Sequence, residues 1–153
     1  MSKAFTKEDD TSREADLPER AISPHPNLVT ADGLAQIEAT MARLTEEQRI
    51  ARDADDVPAA ASAARDLRYW TARLATAQLT EQKPSSQVQF GSRVTIKRPD
   101  GSTRAYRIVG TDEGNPAQGT LSYVSPLAQA LMGKEIGDTV VVSGHELEIV
   151  EVA

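Results

Sequence analysis

Arg52-Asp53-Ala54-Asp55-Asp56-Val57-Pro58-Ala59 (RDADDVPA) stands between two stretches of the same apolar period, and reading it as a turn decides the fold. Ahead of it, Leu34, Ile37, Met41, Leu44, Gln48 and Ala51 recur at intervals of 3, 4, 3, 4 and 3, the seam of a coiled-coil helix. Behind it, Ala60, Ala63, Leu67, Trp70, Leu74 and Ala77 repeat those intervals. Two matching seams joined by a short break predict an antiparallel coiled-coil hairpin. Thr30 is the expected N-cap of the first helix, and Asp32 falls in its first turn, where the helix dipole favours negative charge. Alanines near the tip let the helices approach closely, while Trp70 and Leu74, nearer the base, carry most of the apolar burial. Each arm of about 23 residues is roughly 35 Å long at 1.5 Å per residue, so the hairpin is expected to protrude.

Three carboxylates, Asp53, Asp55 and Asp56, crowd the break. Asp56 is placed to cap the second helix. Asp53 and Asp55 fall at the C-terminal end of the first, where the dipole disfavours negative charge, so capping does not account for them. Like charges gathered at an exposed turn point to something outside the chain. Arg49, Arg52, Arg65, Arg68 and Arg73 make a candidate basic flank for RNA or an acidic wall; pairing with Glu46, Glu47 and Asp66 on a wet helix face is the competing reading.

Composition sets the outer bounds. A chain of 153 residues holds one ordinary domain, or a small domain with an extended element. It has no cysteine, which excludes disulfides, thiolate metal sites and thiol nucleophiles. The net charge of -6 argues against general nucleic-acid binding, which needs cations to displace counterions from phosphates. No apolar run approaches the ~20 residues a membrane span needs, and MSKAFTKEDD lacks the apolar core of a signal peptide. A soluble, cytoplasmic monomer with no membrane partner is expected. His25 and His145 have no metal-ligand spacing, and no nucleophile motif or phosphate loop is present.

Residues 1–27 mix charges with Pro18, Pro24 and Pro26 and are expected to be a disordered or extended tail. The hairpin spans 28–81, and the polar segment 82–89, with Pro84, is expected to be a linker. In 90–153 the period changes. Val94 and Ile96 alternate with polar residues, Pro99–Ser102 supplies a turn, and Tyr106, Ile108 and Val109 continue the apolar pattern. Gly110–Gly119 is a loop, Leu121–Val124 a short strand, and a helix begins at Pro126 and stops at Gly133. Thr139–Val142 and Glu146–Val152 complete a mostly antiparallel sheet with one short helix. The fold class is α+β.

Three stretches, VQFGSRVTI (88–96), YRIVGTDE (106–113) and above all SPLAQALMGKEIGD (125–138), resemble the C-terminal domain of the Gre family of bacterial transcription elongation factors. The resemblance continues more weakly through 27–44 and 72–79, with a shortened coiled-coil hairpin, and does not cover 1–26. It implies a C-terminal domain like that of FK506-binding proteins. It further implies an accessory factor, with no active site of its own, that docks on bacterial RNA polymerase at the secondary channel and inserts the hairpin toward the active centre. Val124, Ser125, Pro126 and Leu127 fall where the family docks; Val124 departs from the usual Asp or Asn. Asp53, Asp55 and Asp56 fall at the family's acidic tip, where Asp56 aligns with the first of two acids. By the resemblance Asp55 and Asp56 ligate the polymerase Mg²⁺ in the complex only, the nascent RNA 3′ end is met indirectly, and no cofactor is bound alone. Two alternatives remain: a polymerase-binding regulator without cleavage activity, and a peptidyl-prolyl isomerase, whose pocket would need clustered aromatics.

Overall fold

The computed structural model describes residues 17–153; the first part of the expected tail, 1–16, lies outside the described residues. Two compact units result. One holds Ala35–Thr76 with the described residues up to Ile22, the other Ser23–Leu34 with Ala77–Ala153.

The helical unit is built on α1 (Ala31–Asp53) and α2 (Val57–Thr76). The seam positions are hidden from solvent: Ile37, Leu44, Ala51 and Ala63 are buried, and Leu34, Met41, Gln48, Ala60, Leu67, Trp70 and Leu74 are half-buried. Ala77, expected as the last seam residue, follows the end of α2. Residues 17–27 contain neither helix nor strand, yet Glu19 and Arg20 are not free. Glu19 pairs with Arg68 of α2 at 2.7 Å, Arg20 pairs with Asp66 at 3.5 Å, and the Arg20 guanidinium lies 3.9 Å from the centre of the Tyr69 ring.

In the second unit β1 (Leu28–Val29) and β2 (Gln78–Leu79) form a short parallel pair. The main sheet contains β3 (Arg93–Lys97), β4 (Thr103–Val109), β5 (Thr120–Ser122), β6 (Thr139–Val142) and β7 (His145–Val152), in the order β5-β4-β3-β7-β6. Period-2 alternation explains which face is buried: on β3, Val94 and Ile96 point inward while Arg93 and Lys97 face water. Val94 sits opposite Tyr106 and Val152, and Ile96 opposite Ile149, with a bulge between Thr95 and Ile96 against β7. The short helix α3 (Pro126–Leu131) closes the core with Ala128 and Leu131 against Val88, Val94, Ile96, Tyr106, Ile108, Leu121, Val140, Leu147 and Ile149.

Three details refine the expected pattern. The sheet is mixed: β5 runs parallel to β4, because the loop 110–119, with its 3-10 turn Pro116–Gln118, carries the chain back along the sheet before pairing resumes. The segment 82–89 carries no helix or strand, but it ends inside the core. Val88 is 2 % exposed, donates to the Lys134 carbonyl and accepts from Gly133 N–H, both at 2.8 Å. The helix α3 also stops at Leu131 rather than Gly133.

Candidate functional site

The acidic turn is compact for a physical reason. Asp55 has φ 54, the left-handed region. The Asp56 N–H donates to Ala51 O at 2.8 Å and the Asp55 N–H to Arg52 O at 3.1 Å. That pair of bonds, six-to-one and five-to-two, closes the C-terminus of α1 as a Schellman motif with Asp55 at the left-handed position. Asp56 then serves the next helix at once: its Oδ1 accepts the Ala59 N–H at 3.2 Å, and its carbonyl accepts the Ala60 N–H at 3.0 Å. One residue is the exit of α1 and the N-cap of α2.

The three carboxylates are therefore not equivalent. Asp53 is held by Arg49 at 2.8 Å, and Arg49 also reaches Glu46 at 2.6 Å. The Arg49 hydrogen bond keeps the Glu46 carboxyl below its ordinary pKa. Asp56 spends one oxygen on its cap. Asp55 is exposed, and among the described residues its carboxylate has no hydrogen-bond or ion-pair partner. Capping engages Asp56 alone: an ion pair occupies Asp53, and Asp55 takes the left-handed position of the turn. The two free oxygens of Asp55 and Oδ2 of Asp56 are hard donors of the kind Mg²⁺ takes. Among the described residues no group of three or more His, Cys, Asp or Glu side chains is arranged to hold a metal ion.

Left-handed backbone at a residue with a Cβ is strained, and relieving it makes a prediction. Asp55→Gly should raise thermal stability of the helical unit by roughly 0.5 kcal/mol, read as an upward shift in the melting of the helical signal, while removing the unpartnered carboxylate. A fall in stability would contradict the turn geometry.

The basic candidates divide in the same way. Arg65 is half-buried and 3.3 Å from Asp66, Arg68 is held by Glu19, and Arg49 by Glu46 and Asp53. Arg52 is exposed and, among the described residues, without an ion-pair partner. Arg73 is 1 % exposed and is not part of any outer basic flank. Arg68 holds the Glu19 carboxyl below its ordinary pKa, chiefly by the hydrogen bond. That link is present above the ordinary carboxylate range and is lost as the pH falls through the lowered value.

The docking candidates sit on the rim of the sheet unit. Ser125 is extended (φ -65, ψ 152), and its Oγ accepts the Ala128 N–H at 3.3 Å, capping α3 with Pro126 in the first helical position. The Ser125 N–H in turn donates to Ser122 O at 2.9 Å. Pro126 is exposed, Val124 and Leu127 half-buried. Leu127 also lines a groove of about 550 Å³ with Ile96, Tyr106, Val142, Leu147 and His145. Tyr106 is the one aromatic of that lining, which gives an isomerase pocket little to work with.

Residues 83–153 match the family model described as the C-terminal part of transcription elongation factor GreA/GreB. Transcription elongation factor GreB of Haemophilus influenzae is 41% identical over 78 residues, 50% of this chain and 49% of that protein. Transcription elongation factor GreA of Desulfovibrio desulfuricans is 32% identical over 132 residues, 73% of this chain and 82% of that protein. The chain belongs to the GreA/GreB family. Across the first of its curated relatives it spans about half their length, 43% to 49%. The solved structure of GreA factor homolog 1 from Thermus thermophilus overlaps 84% of this chain and 99% of its own at a TM-score of 0.42 and 17% identity.

GreA/GreB membership places the shared sequence most strongly on the unit that carries Ser125–Leu127. Sequence reasoning missed two features of this chain: the left-handed backbone of Asp55 and the partner that Glu113 provides for Thr30. The first has no sequence mark, since glycine, the usual occupant, is absent. The second joins residues 83 positions apart.

Proposed function

We propose that this chain is a transcription elongation factor that binds bacterial RNA polymerase at its secondary channel and stimulates cleavage of backtracked transcripts. It is an accessory factor with no reaction of its own: it brings tip carboxylates to the polymerase magnesium and meets the nascent RNA 3′ end only through that site. A monomer in the cytoplasm fits this work, and no described helix is long and apolar enough to cross a membrane.

The observation that carries the reading is Asp55, whose carboxylate has no partner among the described residues and stands on the exposed turn between two helices of 23 and 20 residues. Asp55 and Asp56 would hold a magnesium ion of the polymerase, which would supply water activation and neutralise developing charge. Asp55 is the residue best placed to ligate it, with Asp56 contributing its second oxygen and Asp53 tethered to Arg49. Arg52, exposed beside the turn and without an ion-pair partner among the described residues, is suited to phosphate or an acidic wall.

Backtracked elongation complexes supply the test. Adding the protein should shorten the RNA 3′ end in a concentration-dependent way. Complexes that bind it with no RNA shortening would instead support the regulator reading. Docking has its own probe. Pro126→Arg places a charge on the exposed rim while leaving the Ser125 cap in place, and it should weaken co-purification with polymerase by about tenfold, the equivalent of 1.4 kcal/mol. Undiminished association would remove Val124–Leu127 from the docking surface.

A further inference from the structure

We infer that residues 17–22 form a removable cover on α2, and that the face beneath them, centred on Arg68 and Tyr69, takes a carboxylate-rich protein surface; the assignment rests on the polymerase-binding reading above. Charged residues on a helix ordinarily pair with partners three or four positions away. Arg43 and Arg49 of α1 do so, the first with Glu47 at 2.6 Å, the second with Glu46 at 2.6 Å and Asp53 at 2.8 Å. On α2 that pattern fails: no acid stands three or four positions from Arg68, and no base stands three or four positions from Asp66. The missing partners come from Glu19 and Arg20, adjacent in sequence and opposite in charge. Arg68 Nε donates to both Glu19 carboxylate oxygens, at 2.9 and 3.1 Å, and Arg20 meets Asp66 at 3.5 Å. The Arg20 guanidinium also lies over the Tyr69 ring, 3.9 Å from its centre, and 5.7 Å from the centre of the Trp70 ring. Residues up to Ile22 belong to the same compact unit as α2.

These contacts are of a kind that holds and lets go. Residues 17–22 contain no helix or strand, so no regular hydrogen-bond ladder fixes them. The Glu19 and Arg68 side chains stay 61% and 54% exposed, and ion pairs so exposed are weak and screened by salt. A cation over an aromatic face adds a modest attraction. A surface offering several carboxylates competes directly with the single carboxylate of Glu19 and shifts the cover toward its open state. The cover itself indicates the chemistry of that partner, because the group seated on the Arg68 fork is a carboxylate. Once the cover leaves, Asp66 keeps Arg65 at 3.3 Å, and Arg68 is left with no carboxylate within one turn on its own helix. Nucleic acid asks for a row of cations to displace counterions, and this face offers Arg68 beside an arginine that is already paired. A carboxylate-bearing protein surface asks for less.

Trp70 is the chain's one tryptophan and lies beside the covered ring, so its emission reports the cover. Glu19→Gln combined with Arg20→Gln removes one acid and one base, so the net charge stays at -6. In the full chain this double variant should show steeper acrylamide quenching and a red-shifted Trp70 emission, with the helical signal retained. Its affinity for polyglutamate at low salt should rise about fivefold, the gain expected if the face is uncovered about a fifth of the time in the unmodified protein. Adding Arg68→Ala should erase that gain, and association with bacterial RNA polymerase should follow the same order. Unchanged quenching, or equal affinity of the covered and opened forms for polyglutamate, would overturn the assignment. So would equal affinity for polymerase where both forms associate with it, or a larger gain for oligouridylate than for polyglutamate, which would mark a nucleic-acid face. Should the double variant lose its helical signal, Arg20→Gln alone decides by the same readouts. If the opened form gains affinity for polyglutamate while no form associates with polymerase, the cover stands and the polymerase reading falls.

Discussion

Asp55→Asn is expected to lower transcript cleavage in backtracked complexes at least tenfold, on the order of 1.4 kcal/mol in the barrier, with polymerase binding and thermal stability retained. Asp56→Asn should do the same to a smaller degree. The choice of asparagine follows from the turn. Asn is the other residue that commonly accepts the left-handed position Asp55 occupies, and it caps helices as well as Asp does, so the bond from Ala59 N–H to residue 56 survives. What changes is the charge, and with it the hard anionic oxygen that magnesium requires. Removing a negative charge from the C-terminal end of α1 also relieves an unfavourable dipole contact, so the melting temperature should hold or rise. Asp56→Ala is a poorer probe, since losing the cap costs about 1 kcal/mol and mixes folding with chemistry. Asp53→Asn separates the residues further. Its carboxylate is engaged by Arg49, and cleavage should fall by less than about threefold, given the small worth of exposed pairs.

Leu131→Ala should destabilise the sheet unit by about 2–5 kcal/mol. Leu131 is fully buried, and as the last residue of α3 it holds that helix against the cluster of Val88, Val94, Ile108 and Ile149. The cavity would open deep in the core, where Ala128, Ile108 and Ile149 are themselves at 0% exposure. For a unit of this size such a loss lowers the melting temperature by roughly 8–40 °C. The same α3 carries Ser125 at its N-cap, so polymerase association should fall as the unit melts. Ile136→Ala, at a position 60% exposed, is the control and should shift melting by no more than about 0.5 kcal/mol. Equal effects of the two substitutions would mean that the core is not where the structure places it.

How far the chain could be read unaided depended on whether a feature is written locally. The two seams were legible because a coiled-coil period repeats over many residues, and Ile37, Leu44 and Ala63 lie where that period puts them. Val94, Ile96, Tyr106 and Ile108 were legible from alternation. The parallel pairing of β5 was not, because a three-residue strand carries no direction in its sequence. Residues 17–22 read as unstructured from their charges and Pro18, and they contain no regular element, but the pairing of Glu19 with Arg68 and Arg20 with Asp66 is long-range and leaves no local pattern. At the site, the acid cluster was visible while its division of labour was not. That Asp53 is paired, Asp56 spent in part on a cap and Asp55 without a partner among the described residues depends on backbone angles at one turn. Glu113 was hidden for the same reason as the strand direction: Gly33 occupies the position where a local capping box would have announced itself.

The distance from the Asp55 carboxylate to the catalytic magnesium, in a complex of this protein with backtracked RNA polymerase, decides whether the chain acts through its tip. A cryo-electron-microscopy reconstruction of that complex measures it. The prediction is a carboxylate oxygen about 2.1 Å from the ion, or separated from it by one bridging water. A docked protein whose turn ends well short of the metal, with Asp55 facing the channel wall, would contradict the claim that this chain acts through its tip.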